Sequence, residues 1–404
     1  GFNLNAQLSN SKIKRWVSSQ DNLKNAYVSI ALKPIKKNKK IKGVNISKFM
    51  TPASNIKLLT VLASIKSGDS INSLKYKFVS DTLHISPTGY PLLEHPLYPD
   101  AKLSNLLRSA NIIVYHQGLN EIEKFGPAWA WDDFTEYFSP ERNSFPLYGN
   151  VIMVTKSENG KLKVKPDFFD INLDTTFGKS HIREENKNHF TINPLKIKLT
   201  DTLFIPYIVS DETTNSLIKH IANREVITES GKIINSKKIF SMIPEKIYQA
   251  ILKKSDNLIS ESLLANVGYT YTDTISVDKG IDKTLENLIP EIQNGVEWFD
   301  GSGLSRYNMI QPKTIIYILD EIYNYWGLEK IKLNFPRNYI IQDKEDFVWG
   351  KTGTLRNNHN YSGYIKSRKG KYYLFSIMIN HFNSDLSGIK QSIVDFLLYV
   401  NRNG

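Results

Sequence analysis

Tyr361-Ser362-Gly363-Tyr364-Ile365, the turn Ser367-Arg368-Lys369-Gly370 and Tyr372-Tyr373-Leu374-Phe375-Ser376-Ile377-Met378-Ile379 decide the fold. Two runs rich in aromatic and β-branched residues around a glycine-containing turn read as a β-hairpin. Behind it, residues 388–399 place Ile389, Ile393, Phe396 and Leu397 on one helical face. At the opposite end of the chain a helix over 11–19 precedes a strand over 27–32. Helix and strand from one terminus, hairpin and helix from the other, make one α/β domain closed by both ends of the chain.

Between those ends the pattern changes. Ile56, Leu59, Leu62 and Ile65 recur at helical spacing, predicting a helix from near Ser54 to Lys66. From about 73 to 200 short strands, turns and loops take over, with breakers at Ser86-Pro87-Thr88-Gly89 and Gly126-Pro127. Asn159-Gly160 between 151–155 and 162–164 is a hairpin signal, and the polar stretch 179–188 reads as surface loop. Helical periodicity returns over 214–222, 244–252, 257–267 and 314–326. The strand-rich middle is therefore expected as an insertion.

Composition narrows the function classes. A chain of 404 residues suggests two or three domains. The absence of cysteine excludes disulfides, thiolate nucleophiles and cysteine-type metal sites. The eight histidines form no H-E-x-x-H pattern, so a metal hydrolase is not expected. Net charge is +12, and six lysines crowd into 33–42. They could face a polyanion, but no aromatic residues interleave them and no nucleic-acid motif appears, so a solvated hairpin tip is expected instead. No run of 18 apolar residues occurs. Residues 1–5 carry neither a basic n-region nor an apolar h-region, as in a cytosolic protein or one whose signal peptide has been removed.

Three short motifs carry chemistry. Ser54-Asn55-Ile56-Lys57 puts a hydroxyl and an amine three residues apart at a helix start, hence on one face. The amine can take the hydroxyl proton, and the helix N-terminus favours the developing negative charge. Alone, Ser54 reads more readily as a helix cap than as a nucleophile. Ser255-Asp256-Asn257 also precedes a helix: its serine can relay a proton and its asparagine amide can bind a carbonyl, although both acidic and amide residues are good caps. Lys351-Thr352-Gly353-Thr354 follows a strand-like Val348-Trp349-Gly350, and its glycines permit the close approach that a substrate pairing along a strand edge needs. Ser-x-x-Lys, Ser-Asp-Asn and Lys-Thr-Gly in this order form the motif set of penicillin-binding proteins and class A β-lactamases.

With these motifs in place the chain resembles the serine D-alanyl-D-alanine carboxypeptidases/endopeptidases, low-molecular-mass penicillin-binding proteins with a large insertion after Ser-x-x-Lys. The resemblance extends through Thr51-Pro52-Ala53-Ser54-Asn55-Ile56-Lys57-Leu58, Asp300-Gly301-Ser302-Gly303-Leu304-Ser305-Arg306-Tyr307-Asn308, Gly350-Lys351-Thr352-Gly353-Thr354-Leu355 and Ser362-Gly363-Tyr364-Ile365. The 198-residue gap from Lys57 to Ser255 fits the insertion-bearing class. The implied fold is an α/β (α+β) β-lactamase/transpeptidase-like domain, an antiparallel sheet flanked by helices, built from 1–72 and 236–404. A strand-rich domain over 73–235 would be inserted, with a small sub-domain near 156–195.

The resemblance also implies roles. Ser54 is the acylated nucleophile, Lys57 its base, Ser255 a proton shuttle and Asn257 the ligand of the peptide carbonyl. Lys351 and Thr352 bind the terminal carboxylate, and the backbone N–H groups of Ser54 and Thr354 form an oxyanion hole. Lys351 close to Lys57 disfavours two protonated amines. Gly126-Pro127-Ala128-Trp129-Ala130-Trp131-Asp132-Asp133 matches the segment that, with Arg306, receives a diamino-acid side chain, giving Trp129 and Asp132 (and more weakly Tyr137) as ligands. On the other reading Trp129 and Trp131 are core aromatics and Arg306 is a structural ion pair. One stretch departs from the pattern: Gly89-Tyr90-Pro91-Leu92-Leu93 stands where the family carries an aspartate.

The expected function is a penicillin-sensitive DD-peptidase without cofactor or metal. Its partners would be peptidoglycan stem peptides, with β-lactams as covalent inhibitors and no nucleic acid. It would act in the periplasm or cell envelope after removal of a signal peptide. The rival readings are a β-lactamase-like hydrolase, for which no glutamate is placed to activate a deacylating water, and a catalytically idle peptidoglycan-binding module.

Overall fold

The computed structural model describes residues 8–36, 39–68, 70–337 and 347–404. They fall into two compact units, one from Gly1–Ser67, Ile247–Asp256 and Thr284–Gly404, the other from Gly68–Lys246 and Asn257–Lys283. Contacts thus group 257–283 with the middle of the chain, whereas the sequence pattern keeps that segment with the termini.

In the first unit a five-stranded sheet runs in the order Val348–Leu355, Asn358–Lys366, Tyr372–Asn380, Tyr27–Pro34, Lys42–Val44, antiparallel throughout. The expected hairpin pairs Tyr361 with Ile377, and Gly370 turns it at φ +77. Side chains alternate across the sheet. One face packs Ile30, Phe375 and Ile377 against Ile13 of helix Asn10–Ser18 and Ile389, Ile393 and Phe396 of helix Leu386–Asn403. Toward the other, helix Pro312–Asn334 buries Ile315, Ile318, Leu319 and Ile322, and the Tyr364 hydroxyl donates to the Leu319 carbonyl at 2.8 Å. With both faces covered, the two hairpin strands are buried almost end to end; Tyr372–Asn380 reads as a near-continuous apolar run, whereas Asn358–Lys366 also buries Asn358, His359, Asn360 and Ser362.

Helix Lys57–Ser67 is enclosed on all sides as far as Ser64: Leu58, Leu59, Thr60, Val61, Leu62, Ala63 and Ser64 are all buried, and Ile65, Lys66 and Ser67 partly so. A wholly enclosed helix needs no polar face, so its apolar residues extend well beyond the expected stripe. It is preceded by a 3-10 turn, Ala53–Ile56, entered through Pro52 without a side-chain cap. Ser54 therefore lies inside the tighter turn and does not cap the helix. Of the lysine cluster, Lys37 and Asn38 lie outside the described residues, while Lys33 pairs with Asp320.

The second unit holds a mixed five-stranded sheet in the order Glu225–Glu229, Ile112–His116, Thr82–Ser86, Asn72–Val79, Lys237–Phe240. Val151–Lys156 and Leu162–Lys165 pair around Asn159-Gly160 as the hairpin signal predicts, and Thr202–Pro206 completes their sheet. The stretch 179–188 is loop as expected apart from three residues. His181–Arg183 is a strand paired to Phe190–Ile192, and Arg183 is buried with its guanidinium 5.1 Å from the Phe134 ring. A three-residue strand is too short to leave a period in the sequence. At the departing stretch, Tyr90 is buried and its hydroxyl bonds Asp100 at 2.8 Å and Ser241 at 2.7 Å. Helices Asn257–Thr272 and Val277–Lys283 also belong here. Among the described residues no helix is long and apolar enough to cross a membrane.

Candidate active site

Ser54 and Lys57 meet because the 3-10 turn winds directly into the enclosed helix. The Lys57 Nζ stands 3.0 Å from the Ser54 Oγ. Lys57 is fully buried, and its amine also donates to the Ser302 carbonyl. That carbonyl is held by a loop folded around Asp300, whose carboxylate accepts from the Gly303 N–H at 2.8 Å, the Ser305 N–H at 2.6 Å and the Asn308 amide at 2.6 Å. Thr60 clamps the same loop by donating to the Gly301 carbonyl at 2.8 Å. Gly303 adopts φ +86, and a Cβ there would lie 2.1 Å from the Ala53 carbonyl oxygen. Only glycine fits so close a crossing.

Ser255 enters from a π-helical turn, Ala250–Lys254, and itself takes a left-handed conformation, φ +59. Ala53, next to the other serine, does the same at φ +48. Such backbone states are uncommon for residues with a Cβ and cluster at functional sites. The Ser255 Oγ donates to the Ser54 Oγ at 3.1 Å and accepts from the Lys351 Nζ at 3.0 Å. Lys57, Ser54, Ser255 and Lys351 therefore form one continuous chain of hydrogen bonds.

Lys351 lies on Val348–Leu355, the outer strand of the sheet, with its amine also donating to the Thr352 carbonyl at 2.7 Å. The strand is pinned to the nucleophile turn: Asn55 donates to the Lys351 carbonyl at 3.2 Å. Asn360, from the adjacent strand, donates to the Thr51 and Pro52 carbonyls at 2.9 and 2.8 Å. At Gly353 a Cβ would sit 2.6 Å from the Pro52 carbonyl oxygen and 2.8 Å from the Asn55 nitrogen. Burial first, and then the charge of Lys57, hold the Lys351 amine well below the usual lysine range.

The first unit thus brings together Ser54, Lys57, Ser255 and Lys351. Thr352 is half-buried on the same strand, and Thr354 is exposed, with its hydroxyl 2.7 Å from His359 Nδ1. Arg306 is exposed on the Asp300 loop and forms no ion pair among the described residues.

Asn257, Trp129 and Asp132 belong to the second unit. There the Asn257 amide donates to the Phe138 carbonyl at 2.6 Å. Trp129 is half-buried with the Arg142 guanidinium 5.3 Å from its ring, Asp132 is exposed, and so is Tyr137. Trp131 is 79% exposed and so is no core aromatic.

Asp300, Ser302, Asn55 and Asn360 support the site through contacts that the motifs alone do not indicate. Asp300 heads a Gly- and Ser-rich turn, a pattern in which a carboxylate gathers backbone N–H groups, and that was the available signal. No group of three or more His, Asp or Glu residues among the described residues is arranged to hold a metal ion.

Residues 238–399 match the D-Ala-D-Ala carboxypeptidase 3 (S13) family. The D-alanyl-D-alanine carboxypeptidase DacB of Haemophilus influenzae is 21% identical over 427 residues, covering 88% of this chain and 86% of that protein. The crystal structure of penicillin-binding protein 4 from H. influenzae superposes with a TM-score of 0.71 at 20% identity, covering 96% of this chain and 99% of that one. That protein has also been solved in complex with a β-lactam. A predatory endopeptidase from Bdellovibrio bacteriovorus, in complex with an immunity protein, gives a TM-score of 0.52 at 14% identity over 94% of each chain. The fold is thus the α/β transpeptidase-like fold with an additional strand-rich region.

Proposed function

We propose that this chain belongs with the D-Ala-D-Ala carboxypeptidase (S13) family, which its residues 238–399 match, and is a penicillin-sensitive serine DD-peptidase working through an acyl-enzyme on Ser54. The observation that carries the reading is the unbroken chain Lys57–Ser54–Ser255–Lys351, with contacts of 3.0, 3.1 and 3.0 Å. Two amines flanking two hydroxyls can move one proton from nucleophile to leaving group, and a simple cap or turn has no need of that arrangement.

The proposed steps follow from the contacts. Lys57, as the free amine, takes the Ser54 proton while Oγ attacks the carbonyl between the two terminal D-alanines. The C–N bond then breaks, and the leaving amine receives a proton through Ser255, whose hydroxyl is held by Lys351. Water next attacks the ester carbonyl; the C–O bond to Ser54 breaks and the proton returns to Ser54. Backbone N–H groups of Ser54 and Thr354 stabilise the oxyanion in both halves. Lys351 and Thr352 receive the terminal carboxylate, and Asn257 the peptide carbonyl. A β-lactam is attacked in the same way, but its opened ring keeps the leaving group attached, so the adduct persists.

The catalytic domain is read as 1–72 with 236–404, and 73–235 as an insertion with a small sub-domain near 156–195. In that reading Trp129, Asp132 and Arg306 receive the diamino-acid side chain, Asp132 pairing with its ammonium and Arg306 with its carboxylate. The exposure of both charged residues supports this. The substrate class is peptidoglycan stem peptide, which places the protein in the periplasm or cell envelope. Cleavage of D-Ala–diaminopimelate cross-links is a second activity of the same site. The test is D-alanine release from a purified pentapeptide: the wild type releases it, and a Ser54→Ala variant that releases it at the same rate defeats the mechanism.

A further inference from the structure

Asn257 and Glu261 stand one turn apart on helix Asn257–Thr272, and both reach the same stretch of chain, residues 123–142. Asn257 holds the Phe138 carbonyl. Glu261, 1% exposed, accepts from the Nη1 of Arg142, 6% exposed, at 3.0 Å. Arg142 then turns its remaining donors back on the segment, Nε to the Glu123 carbonyl at 3.1 Å and Nη2 to the Phe125 carbonyl at 3.0 Å. Its own backbone N–H donates to the Lys124 carbonyl at 2.7 Å. The guanidinium lies 5.3 Å from the Trp129 ring, which packs edge-on to Phe125 at 6.3 Å.

We propose that Arg142 and Glu261 are positioning residues for substrate recognition: they fix the Trp129 segment to the helix that begins with Asn257. Replacing a buried ion pair by well-packed apolar residues of the same size is often neutral or stabilising. Stability alone therefore does not account for a cation bonded to one carboxylate and to carbonyls at 123 and 125 while stacked on an aromatic ring. The planar fork of arginine suits this task and lysine does not, because a single ammonium cannot reach the carboxylate and both carbonyls in fixed directions. The inference rests on the reading of Trp129 as a ligand of the diamino-acid side chain.

The test compares two pentapeptides ending in D-Ala-D-Ala, one with meso-diaminopimelate and one with alanine at the third position. In Arg142→Lys the KM for the diaminopimelate peptide should rise about tenfold, the scale of a lost charge-assisted hydrogen bond. Its kcat, the alanine peptide and penicillin acylation of Ser54 should stay within about twofold. Glu261→Gln, nearly the same size, should shift the same KM in the same direction, and covers the case in which the lysine variant does not fold. Hydrogen exchange over 123–129 should quicken in either variant. Equal losses on both peptides, or an unchanged KM and unchanged exchange, overturn the proposal while leaving the peptidase reading intact. A wild-type chain that penicillin fails to acylate at Ser54 overturns both.

Discussion

The residues assigned to chemistry and those assigned to recognition occupy opposite physical environments. Lys57 and Lys351 are buried amines, joined through two serines and locked by backbone carbonyls from the Asp300 loop and the outer strand. Arg306 and Asp132 are exposed charges. Burial penalises a charged amine, and the Lys351 amine is held well below the usual lysine range. Exposure leaves a charge solvated until a ligand of opposite sign arrives. A catalytic group has to be in place before substrate binds, whereas a recognition group can complete its contacts on binding. Variants of the buried set should therefore affect the chemical step, and variants of the exposed set should affect selectivity.

The largest expected effect is at the nucleophile. Ser54→Ala should lower acylation by roughly 10⁴-fold or more, measured as the rate of covalent labelling by a β-lactam. Lys57→Ala should cost about 10²–10⁴-fold in kcat, the span of a lost general base, with KM for the pentapeptide little changed.

A third effect concerns stability near the outer strand. Burial first, and then the charge of Lys390, push His359 down to about 4, below its ordinary value of 6.5. The unfolded chain takes up the proton first as pH falls, so stability is full above about 6.5 and declines as pH drops toward 4, by up to about 3 kcal/mol. Denaturant unfolding at pH 7 and 4.5 should show this loss, and His359→Gln should flatten it. If the slope persists in that variant, His359 is not its source.

The smallest effects belong to the exposed set. Asp132→Asn or Arg306→Ala should raise KM about tenfold for a diaminopimelate peptide and leave an alanine-substituted peptide within about twofold. Losses of kcat on both peptides would erase the distinction between the two sets of residues.

The residues proposed to carry the chemistry are legible in the sequence because each motif is contiguous, and the structure brings Ser54, Lys57, Ser255 and Lys351 together. Ser-x-x-Lys, Ser-Asp-Asn and Lys-Thr-Gly are local strings, and the hairpin of 361–365 and 372–379 announces itself by aromatic and β-branched residues about a glycine turn. What stayed hidden is what long-range packing creates. Asn257 reaches Phe138, and Glu261 reaches Arg142, each 119 positions away in the chain. Neither partner carries a mark of its role in the neighbouring residues. The 3-10 turn at Ala53–Ile56 was masked by helical spacing that continues across it. The short strand His181–Arg183 is held by its sheet partners and by a buried arginine that sequence alone places on the surface. The grouping of 257–283 with the middle of the chain also depends on packing, since the motif at its start belongs by sequence to the chemistry.

The central claim is that Ser54, activated through Lys57 and linked by Ser255 to Lys351, is the acylated nucleophile. Its most direct test is mass-spectrometric localisation of the adduct after the protein is incubated with penicillin. The account predicts one persistent adduct, on the peptide carrying Ser54, absent from Ser54→Ala. Labelling at another residue, or no adduct under conditions in which the protein is folded, would contradict it.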